Sequence, residues 1–150
     1  MKKIVICGAS GFVGSSLVKY FNTKNHSVIT IHRDDLANIE KVIDKINASD
    51  ILINLSGANI MGRWTTEYKK ILYSSRIDTT KVLSKAITKC TQAPSLFIST
   101  SAIGIYKNDM FYDEESKNLN DDFLASLCKD WEKEALMVQS LNTRVAVFRF

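Results

Sequence analysis

The sequence predicts an α/β domain built on a doubly wound parallel sheet. Short apolar runs alternate with segments of helical period along all 150 residues, which is the pattern of a parallel sheet covered by helices. The third apolar run, residues 51–55, has almost no polar side chain, as expected of a strand buried on both faces. Apolar residues make up 45% of the chain, enough for the core of one domain.

The predicted elements follow one another in a regular order. Strands are expected at residues 3–7, 28–32, 51–55, 96–100 and 145–150, and helices at 12–24, 36–46, 65–89 and 121–140. Residues 108–120 are polar and acidic and predict a loop. Since the last strand ends with the sequence, we expect residues 1–150 to form one domain that stops at the sixth strand of its fold, without a C-terminal substrate-binding part.

The bulk composition argues against several classes of function. The 20 basic and 16 acidic residues leave a net charge of +4, too small and too scattered to predict nucleic-acid binding. Cys7, Cys90 and Cys128 form no metal-binding pattern, so we expect free thiols and no metal. No apolar run has the length of a membrane span and no signal peptide is evident. We therefore expect a cytoplasmic protein that binds a small molecule.

A glycine-rich loop joins the first predicted strand to the first helix. It places glycines at 8, 11 and 14, where they allow a tight turn, a close approach of phosphate to the backbone, and close packing of the helix on the sheet. The helix start favours phosphate. A purely structural turn is the alternative. We predict a Rossmann-type dinucleotide site with contacts at Gly8, Ser10, Gly11, Phe12, Val13 and Gly14.

The end of the second strand indicates which dinucleotide is bound. NAD-binding Rossmann domains carry an acidic residue there for the ribose hydroxyls, whereas this chain has His32 and Arg33. An arginine suits a 2′-phosphate, so His32 and Arg33 predict NADP, with NAD as the alternative. Asp34 and Asp35 follow directly and weaken the argument, and Arg33 could also be an ordinary surface residue.

Six later segments carry a more specific pattern. They are residues 50–58 (DILINLSGA), 57–65 (GANIMGRWT), 75–80 (SRIDTT), 99–106 (STSAIGIY), 127–132 (LCKDWE) and 143–149 (TRVAVFR). In these segments the chain resembles the extended short-chain dehydrogenase/reductases, and more narrowly their atypical, nucleoside-diphosphate-sugar epimerase-like branch. The resemblance covers the N-terminal half of a typical member.

The resemblance implies roles for particular residues. Ser99 would contact the cofactor near the nicotinamide, and Ser101 would hydrogen-bond the reacting oxygen. Arg76 would lie on the long helix under the cofactor, or would tie that helix to a loop. The adenosine and ribose side of the cofactor would be lined by Leu55, Ser56, Gly57 and Ala58.

Two departures from the family pattern affect these expectations. Only eighteen residues, 33–50, separate the second strand from the next motif, so we expect the third strand of the order 3-2-1-4-5-6 to be missing, with Asp35 and Leu36 imitating its adenine contacts. The Tyr-x-x-x-Lys pair, the acid/base of catalytic members, is also absent, because Leu124 and Cys128 stand in its places. Tyr106 could act from the neighbouring loop, although a packing role is favoured.

The sequence thus predicts the NADP-binding domain of an oxidoreductase or nucleotide-sugar epimerase-like protein of unknown substrate. Ser101 and Tyr106 are its candidate catalytic residues. A non-catalytic dinucleotide binder or sensor is the main alternative, favoured by the missing Tyr-Lys pair, and an inactive shortened relic is a third. We also expect a homodimer, formed through the two long helices or through the bare edge of the last strand.

Overall fold

Parallel strands and helices alternate along the computed structural model, which describes residues 1–139 and 142–150. The strands are β1 (Lys3–Cys7), β2 (Ser27–Ile31), β3 (Ile51–Asn54), β4 (Leu96–Ser101) and β5 (Arg144–Arg149). The helices are α1 (Phe12–Thr23), α2 (Ile39–Ile46), α3 (Thr66–Lys89) and α4 (Phe123–Leu136). Helix α4 ends at Leu136, so its predicted extension over residues 137–139 is wrong, and the predicted end at Ser140 lies outside the described residues. The other predicted strands and helices are confirmed to within a few residues.

The five strands form one parallel sheet in the order β2-β1-β3-β4-β5. In the register of the sheet, Cys7 pairs with Asn54 and Asn54 pairs with Ser99. The carboxyl ends of β1, β3 and β4 therefore meet at one edge of the sheet. In doubly wound folds this edge is where ligands bind.

The expectation of a missing third strand has to be corrected. The third strand of this chain is β3, which lies inside the sheet between β1 and β4. Between β2 and β3 the chain forms a short 3-10 turn, Arg33–Ala37, and then α2. One helix is enough to carry the chain from β2 past β1, so eighteen residues suffice for this connection.

The core has two layers because successive β1 side chains point to opposite faces of the sheet. Ile4 and Ile6 are buried in a cluster with side chains of α1. Val5 is buried in a second cluster with side chains of α2, α3 and α4, Leu83 among them. Helices therefore cover both faces, as predicted for a doubly wound sheet.

None of the described helices is both long enough and apolar enough to cross a lipid bilayer.

Local capping sets where the helices begin. The side chain of Asn38 accepts a hydrogen bond from the backbone N–H of Glu40 at 3.0 Å, which starts α2 at Ile39 and separates it from the preceding 3-10 turn. The single helix predicted over residues 36–46 is therefore two pieces. Thr65 and Asp122 cap α3 and α4 in the same way.

Candidate functional site

The glycine loop lies at the carboxyl end of β1, and its three glycines are constrained differently. Gly8 has a φ of +85°, and a Cβ there would lie 2.7 Å from the backbone of Leu55. A Cβ on Gly14 would lie 2.3 Å from the carbonyl oxygen of Gly8, whereas one on Gly11 would meet that oxygen at 3.4 Å. Gly8 and Gly14 are thus required by the fold, while Gly11 leaves its backbone open to a ligand.

The start of α1 is equipped to receive an anion. Gly11 is its N-cap residue, no side chain caps it, and no acidic residue stands in its first turn. The first backbone N–H groups of a helix have no partner within the helix, and its dipole is positive at this end. The loop and helix start therefore form a phosphate-binding element of the kind predicted from the sequence.

One side of the glycine loop borders a cavity of about 260 Å³, here called the outer cavity. It brings together most of the residues predicted to contact the adenosine side of the cofactor. Leu36 also lines it, whereas Asp35, the other residue expected to imitate the adenine contacts, does not. The lining includes Gly8, Ser10, Gly11, His32, Arg33, Leu55, Ser56, Gly57 and Ala58, together with Cys7, Ser75 and Thr79.

A second cavity of about 370 Å³, here called the inner cavity, lies on the other side of the loop. It shares Gly8, Gly11 and Leu55 with the outer cavity, so the two form one cleft that passes over the glycine loop. Its remaining lining residues are Phe12, Val13, Gly14, Ile60, Arg76, Thr100, Ser101, Ala102, Leu124, Leu127, Cys128, Trp131 and Phe150.

One of the two acidic residues that follow Arg33, Asp35, does not leave an uncompensated charge beside the outer cavity. The carboxylate of Asp35 accepts hydrogen bonds from the ammonium of Lys45 at 2.5 Å and from the backbone N–H of His32 at 2.8 Å. These contacts hold the pKa of Asp35 below its usual range. Arg33 itself is exposed and forms no ion pair within the described residues, so it is available to an anion.

Ser101 lies at the end of β4 in the wall of the inner cavity and is 4% exposed. Its hydroxyl donates a hydrogen bond of 2.6 Å to Glu132 of α4. Arg149 of β5 binds the same carboxylate with two nitrogens, each at 2.8 Å. This pairing raises the pKa of Arg149. Glu132 thus joins Ser101 to Arg149, a link that local sequence spacing did not reveal.

Two of the predicted site residues lie outside both cavities. Tyr106 accepts a hydrogen bond from Arg149 and stacks on Tyr112 with 5.4 Å between ring centroids, in a separate surface depression. Ser99 is buried within β4 and lines neither cavity. The structure therefore brings Ser101 to the cleft but not Ser99 or Tyr106.

Helix α4 supplies the wall of the inner cavity opposite the glycine loop. Leu124 and Cys128, which the family resemblance predicts to stand in the places of the absent tyrosine and lysine, both line this wall. Burial raises the pKa of Cys128. It also raises the pKa of Cys7, in the outer cavity, to about 11.

Within the described residues, no group of three His, Cys, Asp or Glu side chains is placed to hold a metal ion.

Comparison with known proteins agrees with this geometry. The sequence pattern of the NAD dependent epimerase/dehydratase family matches residues 4–122. The chain belongs to this family. Epimerase family proteins from Staphylococcus aureus strain N315 and Staphylococcus saprophyticus are 35% and 34% identical to it, over 100% of this chain. The chain spans about 55% of the length of these epimerase relatives.

Solved structures of the epimerase family show the same architecture. A human epimerase family protein, isoform 2 with NADPH, is 29% identical with a TM-score of 0.85, covering 98% of this chain and 52% of that one. A nucleoside-diphosphate sugar epimerase from Corynebacterium glutamicum is 30% identical with a TM-score of 0.80, covering 99% of this chain and 33% of that one. These matches confirm the Rossmann-like fold and the predicted family.

Proposed function

We propose that this chain binds NADP(H) across the cleft formed by the two cavities. The observation that carries the proposal is their meeting at Gly8 and Gly11, beside the uncapped start of α1. A pyrophosphate over Gly11 would direct the adenosine into the outer cavity and the nicotinamide into the inner one. The human relative of 29% identity, solved with NADPH, supports this choice of ligand.

The preference for NADP over NAD rests on Arg33. This exposed arginine lines the outer cavity, and the charge of its neighbour Asp35 is balanced by Lys45. A guanidinium binds a phosphate through charge-assisted hydrogen bonds, so the 2′-phosphate of NADP gains a contact that the ribose hydroxyl of NAD does not provide.

Titration calorimetry with NADPH and NADH tests this proposal. We expect tighter binding of NADPH by about 1–3 kcal/mol, or about tenfold to a hundredfold, from one exposed arginine–phosphate contact. Arg33→Met should remove the difference. Arg63→Met is the matched control, since Arg63 is an exposed arginine that lines neither cavity. Equal affinities of the parent protein for the two dinucleotides, or tighter binding of NADH, would refute the preference.

For chemistry, we propose an oxidoreductase or epimerase acting on a small hydroxyl or carbonyl compound in the inner cavity. Because the hydroxyl of Ser101 donates to Glu132, its oxygen presents lone pairs and accepts a hydrogen bond from a substrate hydroxyl. In the oxidation direction the substrate proton passes to Ser101 while the proton of Ser101 passes to Glu132. NADP⁺, when bound in the cleft, would accept the hydride.

A non-catalytic dinucleotide binder is the second candidate, favoured by Leu124 and Cys128 in the places of the tyrosine and lysine. Following NADP(H) absorbance with a panel of alcohols and carbonyl compounds distinguishes the two. If turnover occurs, Ser101→Ala should lower it by about a hundredfold, the scale of acid/base catalysis, and Tyr106→Phe should change little. Tight NADPH binding with no turnover across the panel supports the binder, and a large loss in Tyr106→Phe would refute the assignment to Ser101.

A further inference from the structure

The wall that α4 contributes to the inner cavity is apolar. Leu124, Leu127, Cys128 and Trp131 line the cavity, and their spacing along the chain puts them on one face of the helix. Leu127 and Trp131 are buried and pack with Ile77 of α3. A molecule that lies beside this face therefore meets mainly carbon and sulfur atoms. This face of α4 is here called the α4 wall.

The position of Leu124 in the α4 wall is fixed by a glycine. Gly104 lies in the 3-10 turn Ile103–Ile105 that follows β4, and a Cβ on it would lie 2.2 Å from Cδ2 of Leu124. The leucine thus occupies the space that a side chain at Gly104 would need. The family resemblance predicts an acid/base tyrosine at the place of Leu124. An apolar group therefore stands where a catalytic member would present a hydroxyl.

The neutral polar side chains around the α4 wall offer a ligand few hydrogen bonds. The hydroxyl of Thr100 donates to the carbonyl oxygen of Asn54 at 3.1 Å. Burial raises the pKa of the Cys128 thiol, which keeps it neutral. The indole nitrogen of Trp131 is fully enclosed. Ser101 differs from these groups, because its proton is donated to α4 and its oxygen keeps lone pairs for a ligand.

The one charged side chain among the described residues of the inner cavity is Arg76, and it lies where the two cavities meet. Its guanidinium donates to the carbonyl oxygen of Ala58 at 3.0 Å, and a Cβ on Gly57 would come within 2.9 Å of its Cζ. Gly57 and Ala58 both line the outer cavity. The charge of Arg76 is therefore held at the border with the outer cavity, and the α4 wall itself carries none.

We propose that the compound that reacts at Ser101 is an uncharged alcohol or ketone whose apolar body, an alicyclic or aromatic ring, packs against the α4 wall. The inference rests on the chemistry proposed above and names its substrate class. Burial of the ring against Leu124 and Leu127 supplies affinity, and Ser101 orients the reacting oxygen. A sugar carries a hydroxyl on most of its carbons, and burying these beside the α4 wall without partners is costly. The site therefore selects against sugars and against nucleoside-diphosphate sugars.

Cyclohexanol and myo-inositol test this selection, because inositol has the same carbon ring with a hydroxyl on every carbon. Each compound, and UDP-glucose, is titrated into the whole ¹⁵N-labelled chain saturated with NADPH, which cannot accept a hydride from the alcohol. We expect cyclohexanol to give saturable shifts of the backbone amides of Ser101, Leu124 and Leu127 and of the indole N–H of Trp131. Its affinity should exceed that of inositol at least about tenfold, and UDP-glucose should leave these signals unchanged.

A substitution in the α4 wall tests the role of the leucine. Leu124→Asn should weaken cyclohexanol binding about tenfold, because an amide replaces the apolar contact, and should reduce the preference over inositol. Leu136→Asn is the matched control, since Leu136 is a half-exposed leucine of the same helix that does not line the inner cavity. It should leave both affinities unchanged. If Leu124→Asn does not fold, the comparison of the three ligands on the parent protein decides.

The other outcomes also decide the question. Equal affinities for cyclohexanol and inositol, or UDP-glucose binding at the α4 wall, would overturn the proposal. Cyclohexanol shifts that are absent, or scattered over exposed apolar residues such as Phe111 and Met137, would overturn it too. If NADPH shifted no amide of the glycine loop, the proposed dinucleotide binding would fail, and the same titrations on the unliganded chain would test the α4 wall. If cyclohexanol bound as expected but no alcohol or carbonyl compound of the panel was turned over, the proposed chemistry would fail while the apolar site remained.

Discussion

At the scale of single residues, the three glycines of the loop separate structure from binding. Gly14 is needed because a side chain there would collide with the backbone of Gly8 and Ala9, while Gly11 has space beside it. The sequence predicted the loop, since its spacing between a strand and a helix can be read directly. The spacing also predicts the tight turn at Gly8 and the close helix packing at Gly14, and the Cβ distances at these two glycines agree with those roles.

This difference gives a paired prediction. Gly11→Val should abolish NADPH binding by occupying the space of the pyrophosphate, while circular dichroism and the unfolding midpoint remain close to those of the parent. Gly14→Ala should instead lower the free energy of unfolding by about 1–3 kcal/mol, the cost of overpacking. Urea unfolding and calorimetry measure both. A folded Gly11→Val protein that binds NADPH like the parent would place the pyrophosphate elsewhere.

Other contacts between single residues could not be predicted from the sequence, because the two partners are far apart along the chain. Asp35 appeared to oppose an anion at Arg33, yet Lys45, ten positions later, balances its charge. Glu132 joins Ser101 to Arg149 across 31 and 17 positions. Ser101, Glu132 and Arg149 each belong to a segment that carried the family resemblance. That resemblance was the one signal in the sequence that these three residues are important.

At the scale of elements, apolar periodicity located most strands and helices, because burial in this fold follows the pattern of each segment. It failed where a polar side chain interrupts the pattern. Asn38 ends the 3-10 turn and caps α2, although the apolar stripe continues through both pieces. The pair formed by Asp35 and Lys45 then fastens the turn to α2, which positions the outer cavity beside β2.

This fastening predicts a pH dependence of stability. The pKa of Asp35 is lowered in the folded protein, so its stabilising effect is present in full above the ordinary carboxyl pKa of about 4 and is lost as the pH falls through the lowered value. Asp35→Asn should therefore be less stable than the parent at neutral pH, and the difference should disappear in acid. Urea unfolding across a pH series measures it, with the exposed Asp34→Asn as the control. A difference that persists in acid would show that the ion pair is not its cause.

At the scale of the whole molecule, a five-stranded parallel sheet with helices on both faces places the ligand cleft at the carboxyl ends of β1, β3 and β4. The fold class and the family could be predicted because many segments agree with one architecture. The position of β3 inside the sheet could not, since counting residues between strands does not reveal strand order. The homodimer stays a prediction. Any enzymatic activity of this chain also stays a prediction.

We propose that a dinucleotide lies across the glycine loop, with one half in each cavity. Mapping backbone amide chemical shifts of the ¹⁵N-labelled protein during an NADPH titration tests it most directly. We expect saturable shifts at Gly8, Gly11 and Gly57, at Arg33 of the outer cavity and at Ser101 of the inner cavity. Shifts confined to the depression around Tyr106 and Phe148, with the glycine loop unchanged, would contradict it.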